Sequence, residues 1–274
     1  MTTGTLWLVA TPIGNLGDLP PRAVEILGSA ALVCCEDTRR TGRLLQHAGV
    51  RAHRLAVTND HTEFERVADV IAALGDGHDV AIVSDAGTPG ISDPGARLVK
   101  AAIDAGHTVS AVPGPVAAIT ALTISGLPTD RFVFEGFLPR RGRERRDRLA
   151  SISVEPRTVV LYEAPHRIER TIADLAAACG DDRPAVVCRE LTKLYETVVR
   201  GPIGSIDLGN PRGEYVIVLG GAPAETEAID DDRIVDALRA ELATGVSTRD
   251  AVAAVADRLD VPKKSVYALA IADR

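Results

Sequence analysis

The stretch Val80–Gly95, VAIVSDAGTPGISDPG, decides how the rest of the chain is read. Four apolar residues, Val80 to Val83, read as a buried strand. The chain then breaks into Ser84-Asp85-Ala86-Gly87-Thr88-Pro89-Gly90, where Gly and Pro end regular structure. A second group, Ser92-Asp93-Pro94-Gly95, opens a helix predicted to run to about Ala105, with Asp93 as its N-cap and Pro94 as its first residue. The unit is a strand, a small-residue loop and a helix. In open α/β sheets such a loop lies at the carboxyl edge, where ligands bind. Small side chains let the backbone come close to a ligand. An ordinary βα connection is the alternative, but it has little use for Asp85 beside two Pro-flanked glycines.

The same grammar extends in both directions. Strands are predicted at Leu6–Ala10, Ala31–Cys35, Leu55–Val57 and Thr108–Val112. Helices are predicted at Pro21–Gly28, Thr41–Ala48 and Thr62–Leu74, the last with an apolar face of Phe64, Val67, Val70, Ile71 and Leu74. Alternating strands and helices imply a parallel sheet with right-handed crossovers. Val112-Pro113-Gly114-Pro115 stops that pattern. A helix Val116–Ile124 follows, then strands Phe132–Phe134 and Arg157–Tyr162, a helix Ile168–Ala178, and strands Ala185–Arg189, Glu196–Arg200 and Glu214–Leu219. Strands that follow one another directly imply some antiparallel pairing. The acidic segment Ala222–Asp232 reads as a linker. Arg233–Leu242, Thr248–Leu259 and Pro262–Ile271 read as three helices, with Ser247 and Thr248 as an N-cap signal. That tail resembles a helix-turn-helix unit, and a capping bundle or dimerisation tail fits the pattern equally. The expected domains are 1–115, parallel α/β; 116–220, mixed α/β; and 221–274, linker and helical tail.

Composition narrows the function. The chain has 274 residues, 46% hydrophobic and 25% charged, which is globular. Aromatics are 3%, so the core is built from Ala, Val, Leu and Ile. The formal charge of −7 means that any nucleic-acid contact must come from a local patch. The cysteines, Cys34, Cys35, Cys179 and Cys188, show neither a CxxC pair nor zinc spacing. No run approaches the roughly 20 apolar residues of a membrane helix, and the expectation is a cytoplasmic protein. There is no GxGxxG after a strand, no GxxxxGK[ST], no HExxH and no metal-like histidine spacing. A nucleotide-like cofactor would have to sit between the two α/β domains. One local patch stands out. Pro139–Arg148, PRRGRERRDR, holds six arginines against Glu144 and Asp147. It is either a solvated helix face or a phosphate-binding run.

Six ordered motifs carry a resemblance: Thr11-Pro12-Ile13-Gly14-Asn15, Glu36-Asp37-Thr38-Arg39, Ser84-Asp85-Ala86-Gly87-Thr88-Pro89, Pro113-Gly114-Pro115 with Ala117–Leu122, Tyr162-Glu163 with His166-Arg167, and Arg189-Glu190-Leu191-Thr192-Lys193. Together they resemble the bacterial 16S rRNA (cytidine-2′-O)-methyltransferases, within the tetrapyrrole-methylase-like class of S-adenosylmethionine (SAM) enzymes. The resemblance spans about Thr5 to Leu219, and the helical tail fits it. It implies two α/β domains of the tetrapyrrole-methylase type with SAM in the cleft between them, a homodimer, and 16S rRNA of the small subunit, in its decoding region, as substrate. It places Pro12 and its loop on the substrate side, and Asp85, Ala86, Gly87 and Ile91 around the methionine and ribose parts of SAM. Pro115, Ala117 and Ala118 would close on the cofactor, and Tyr162 and Leu191 would reach its adenine side. Arg140, Arg141, Arg143, Arg145 and Arg146 are the expected RNA contacts, with Lys263 and Lys264 a weaker patch.

A ribose hydroxyl is a poor nucleophile, so a proton acceptor beside it should help. The candidates are Glu36, Asp37, Glu163, His166, Glu190 and Lys193. Asp37, Glu163 and Glu190 are favoured because each sits at a strand end. Each also reads as half of an ion pair with Arg39, Arg167 or Arg189. No metal is expected. Two other functions remain compatible with the sequence: methylation of a small tetrapyrrole, and a non-catalytic RNA-binding assembly factor.

Overall fold

The apolar runs of the first 112 residues become the strands of one sheet. In the computed structural model, which describes residues 3–59, 62–223, 230–259 and 261–272, they are β1 (Thr5–Val9), β2 (Leu32–Cys35), β3 (Leu55–Val57), β4 (Val80–Val83) and β5 (Thr108–Val112). The strand order is β3-β2-β4-β1-β5, and every pairing is parallel. The connecting helices are α1 (Pro21–Ser29), α2 (Thr38–His47), α3 (Glu63–Gly75) and α4 (Ala96–Asp104). Both faces of the sheet are covered. Leu6, Cys34, Val80 and Ile82 pack against α3 and α4, while Val9, Val33, Ala81 and Val83 pack with α1 and Leu45 of α2. A parallel sheet buried on both faces has continuous apolar strands, which is why β2 and β4 carry no polar alternation.

The second sheet follows α5 (Ala117–Ser125). Its strands are β6 (Phe132–Phe137), β7 (Thr158–Glu163), β8 (Pro184–Arg189), β9 (Thr197–Pro202) and β10 (Tyr215–Leu219), with α6 (Gly142–Val154) and α7 (Ile168–Cys179) between them. The order is β6-β7-β10-β8-β9; β6 and β7 are parallel and the other three pairings antiparallel. α5 packs on β7 and β10, and Ile13 from the loop after β1 joins the same apolar cluster. The two sheets form one compact unit, Met1–Ala222, so the change of sheet near residue 115 is no break between compact units. Pro223–Arg274 is a second unit. It contains α8 (Asp231–Leu242), α9 (Thr248–Leu259) and α10 (Lys263–Ala272), packed around Leu238, Val252, Val255 and Val266. Ser247 caps α9, its Oγ accepting the Asp250 N–H at 3.2 Å. Residues 224–229 of the expected linker lie outside the described residues.

Three local expectations are corrected. α2 begins at Thr38 rather than Thr41, because the Asp37 carboxylate caps it by accepting the Arg39 N–H at 2.8 Å. Phe64 is 76% exposed and is not part of the buried face of α3. Asp93 does not cap α4, which starts at Ala96. The buried Glu63 at the start of α3 does that instead, its Oε1 accepting the N–H groups of Gly95, Arg97 and Leu98 at 3.1, 2.9 and 3.2 Å. A carboxylate at a helix N-terminus meets both the unpaired N–H groups and the helix dipole. That leaves Asp93 without a capping role.

Candidate active site

The loops after β1 and β4 are clipped together. The Thr11 and Gly87 N–H groups each donate to the other residue's carbonyl, at 2.8 and 3.0 Å. The Ser84 hydroxyl donates to the Gly87 carbonyl at 3.1 Å, and the Thr88 hydroxyl to the Pro115 carbonyl at 3.2 Å. Gly87 has φ +88°, and a Cβ there would stand 3.4 Å from Ile13 Cγ2 and 3.6 Å from the Pro115 carbonyl. Glycine meets both the conformation and the space. The loop after β1 reaches across to the second sheet, where the Asn15 N–H donates to Thr192 Oγ1 at 3.1 Å. A Cβ on Gly14 would collide with Lys193 Cγ and lie 2.8 Å from Thr192 Oγ1. Glu190 and Thr192, at φ +52° and +66°, are left-handed without being glycine. Such strain persists where surrounding contacts hold it, and here it turns Leu191 into the space between the sheets.

That space is a cleft of about 340 Å³. Ile13, Ala86, Gly87, Ala117 and Leu191 line it with apolar and small groups, and Tyr162 enters from β7. The Tyr162 hydroxyl accepts the Ala118 N–H at 3.1 Å, and its ring meets Phe134 edge-on with centroids 5.0 Å apart. Of the expected cofactor residues, Asp85, Ala86, Gly87, Ile91, Ala117, Tyr162 and Leu191 line this cleft. Pro12 lines an adjoining pocket instead. Pro115 and Ala118 stand behind the lining, through the carbonyl and N–H contacts already given. Thr88, Phe137 and Lys193 line the cleft without having been singled out as cofactor contacts.

The three favoured carboxylates are all engaged elsewhere. Asp37 caps α2 and pairs with Arg39 at 3.0 Å, whose hydrogen bonds hold its carboxyl down at about 2. Glu163 lines the cleft, but its side chain is wholly buried: Oε2 accepts from Thr171 Oγ1 at 2.6 Å, and Oε1 from the Ala164 N–H at 2.9 Å while pairing with Arg167 at 3.2 Å. Glu190 pairs with Lys193 at 2.8 Å, not with Arg189, and accepts the Glu214 N–H at 3.0 Å. Partial burial acts to raise its pKa, but these bonds and the Lys193 and Arg189 charges leave it below the ordinary value.

Asp93 is the reverse case. It lines the cleft and forms no ion pair among the described residues. Partial burial, with the charges of Glu36 and Asp85 close by, pushes its carboxyl up to about 7; a Ser84 hydrogen bond offsets part of this. Asp85 has a cation, Arg40 at 3.3 Å, and its N–H donates to Glu36 Oε1 at 3.0 Å. The local sequence points to Asp93 as a cap, and the long-range contact from Glu63 shows otherwise.

Residues 5–207 match the sequence family described as tetrapyrrole (corrin/porphyrin) methylases, and residues 227–274 match the RsmI C-terminal HTH domain. The ribosomal RNA small subunit methyltransferase I of Synechocystis is 44% identical over 273 residues, covering 98% of each chain. The protein of the same name from Escherichia coli O157:H7 is 43% identical over 276 residues, covering 98% of this chain and 95% of its own. The chain belongs to the ribosomal RNA small subunit methyltransferase I family. Among solved structures, the methyltransferase CobJ superposes with a TM-score of 0.63 at 18% identity, over 80% of this chain and 95% of its own, a likeness of fold. Members of the family are methyltransferases that use SAM, and this chain is one of them.

The cleft fits that cofactor. SAM presents a flat adenine, a polar ribose and an amino-acid chain. The floor at Ala86-Gly87 carries only one methyl group, so backbone groups can meet a ligand, and the Tyr162 and Leu191 side offers apolar faces. The family's expected RNA contacts divide. Arg140, Arg141, Arg143 and Arg146 are exposed, Arg143 pairing loosely with Asp147 at 3.4 Å. Arg145 is 4% exposed and is removed from the set. It donates from Nε to Asp174 at 2.8 Å, and its terminal nitrogens donate to the Pro139 carbonyl and Thr171 Oγ1 at 3.0 Å each. The tail helix α10 carries Lys263 and Lys264, both exposed. No described helix is long and apolar enough to cross a membrane.

Proposed function

We propose that this chain methylates the 2′-oxygen of a cytidine ribose in small-subunit rRNA, with Asp93 as the proton acceptor. The observation that carries the substrate reading is near-full-length identity of 43–44% to proteins named for the small-subunit RNA. The exposed arginines at and before the start of α6 and the helical tail support it, since a small substrate needs neither. The family's homodimer and cytoplasmic location form part of the same reading.

Bound in the cleft, SAM supplies an electrophilic methyl group on a good leaving group. The chain supplies alignment and a place for the proton. The clipped loops at Thr11 and Gly87 fix the cleft floor before any ligand arrives, so little order is lost on binding. Ile13, Phe137 and Leu191 keep water from the apolar side. Asp93 accepts the hydroxyl proton as the oxygen attacks and passes it to solvent afterwards. A base working near neutral pH needs a pKa near neutral. Asp93 has one, whereas Asp37 and Glu190 are held below it.

The test is incubation with methyl-labelled SAM and either small subunits or free small-subunit RNA, followed by nucleoside analysis. Label in 2′-O-methylcytidine, with the adjoining phosphodiester resistant to alkali, is the expected product. Label on a base atom with an alkali-sensitive backbone overturns the reading. Replacing Arg140, Arg141, Arg143 and Arg146 with Ala should weaken RNA binding and flatten its salt dependence without changing SAM affinity.

A further inference from the structure

A second pocket, of about 230 Å³, adjoins the cofactor cleft, and Asp85 and Arg40 line both. Its character is different. Pro12, Gly14 and Leu16 give it a small and apolar wall from the loop after β1, and α2 gives it two cations, Arg40 and Arg43. These lie three residues apart and therefore on one face of the helix, while Thr41 and Leu45 are buried. Two arginines of α2 have carboxylate partners: Asp37 takes Arg39 and Asp85 takes Arg40. Arg43 is exposed and forms no ion pair among the described residues. Two guanidinium groups one turn apart repel unless an anion joins them, and of the two only Arg40 has a counter-charge among the described residues.

We propose that Arg43, with Arg40 beside it, holds a phosphodiester of the acceptor RNA next to the ribose being methylated. The inference rests on the RNA reading above. Its logic is positional. A ribose presented to the cofactor cleft carries a phosphate on either side, one bond from the sugar. A pocket that shares a wall with that cleft is where such a phosphate falls. Guanidinium forks match phosphate oxygens in pairs. Asp85 holds Arg40 in the shared wall, so the net charge offered to the phosphate comes from Arg43. The small wall of Pro12, Gly14 and Leu16 leaves room for the sugar.

The experiment compares wild type, Arg43→Ala, Arg43→Lys and Arg43→Glu for methyl transfer to small subunits, for RNA binding across a salt series, and for SAM affinity by calorimetry. Arg43→Ala should raise KM for the subunit about tenfold with kcat little changed. The slope of log affinity against log salt should fall by about 0.7 to 0.9, the share of one phosphate. Arg43→Lys should recover most of the loss, and Arg43→Glu should exceed it, with SAM affinity constant throughout. An active wild type with an unaltered Arg43→Ala removes the subsite alone. Loss of SAM affinity in Arg43→Ala, with RNA binding intact, reassigns the residue to the cofactor and also overturns the proposal. A wild type that neither binds nor methylates the subunit removes the acceptor, and the subsite with it.

Discussion

Two strand-to-helix junctions border the same cleft, each bringing one carboxylate to it. At the end of β7, Glu163 is enclosed. Arg145 donates to Thr171 at 3.0 Å, Thr171 donates to Glu163 at 2.6 Å, and Arg167 pairs with Glu163 at 3.2 Å. In the loop after β4, Asp93 is partly buried near Glu36 and Asp85, forms no ion pair among the described residues, and is pushed up to about 7. One junction uses a buried acid to fix helix α7 to its strand. The other keeps an acid whose charge the surroundings oppose. Bordering a cleft therefore says little about a carboxylate; the inventory of donors and charges around it decides. Satisfied buried networks specify structure, and perturbed groups mark sites of chemistry.

The largest expected effect breaks the comparison at Asp93. Asp93→Asn keeps size and removes the proton acceptor, so turnover should fall by roughly 10²- to 10⁴-fold. SAM affinity, measured by calorimetry, should change little. Wild-type kcat/KM should rise with pH and level off above about 7, because the acceptor must be ionised, and that limb should vanish in the residual activity of Asp93→Asn. A variant with wild-type turnover and the same pH profile would leave alignment alone to explain the rate.

Glu163→Gln tests the other junction. The amide puts a donor where Thr171 now donates, and leaves Arg167, only 18% exposed, without its counter-charge. Breaking a buried pair in this way costs about 3 kcal/mol. Denaturant unfolding should show that loss as a shifted midpoint with an unchanged slope. Turnover of the protein that remains folded should stay within severalfold of wild type. A catalytic loss like that of Asp93→Asn, without loss of stability, would reverse the roles of the two acids.

Much of this arrangement is legible in the sequence, and what is not shares a cause. Val80–Val83 and the loop after it mark the sheet and its ligand edge because strand burial and Gly/Pro breaks are local properties. Gly87 and Ala86 follow from the same pattern. The roles of Asp93, Glu163 and Arg145 depend on partners far along the chain. Glu63 caps α4 across 32 to 35 residues, which frees Asp93. Thr171 and Asp174 of α7 remove Arg145 from a run that otherwise reads as uniformly exposed. No local pattern separates Arg40 and Arg43 from Arg39; what does is the pocket that the first two line, and partners that are local for Arg39 (Asp37) and distant for Arg40 (Asp85).

The smallest effect is also the one that most directly separates function from stability at Asp93. Its carboxyl has a folded pKa of about 7 against an ordinary value of 3.8. Because the folded state binds its proton more tightly than the unfolded chain, stability from this group is present below about pH 4. It is lost as pH rises to about 7, and is constant beyond. Asparagine carries no such dependence. Asp93→Asn should therefore match wild type near pH 4 and exceed it increasingly up to pH 7. The gain above pH 7 should be about 1 to 2 kcal/mol, once solvent screening of a partly exposed group is allowed for. Thermal or denaturant unfolding at pH 5 and pH 8 measures the difference. A variant that loses turnover while gaining stability at pH 8 identifies an acid kept at a cost to the fold, as expected where activity needs a destabilised group. Equal stability at both pH values would mean that neither partial burial nor the neighbouring Glu36 and Asp85 charges act on Asp93, and its place as the proton acceptor would then rest on position alone.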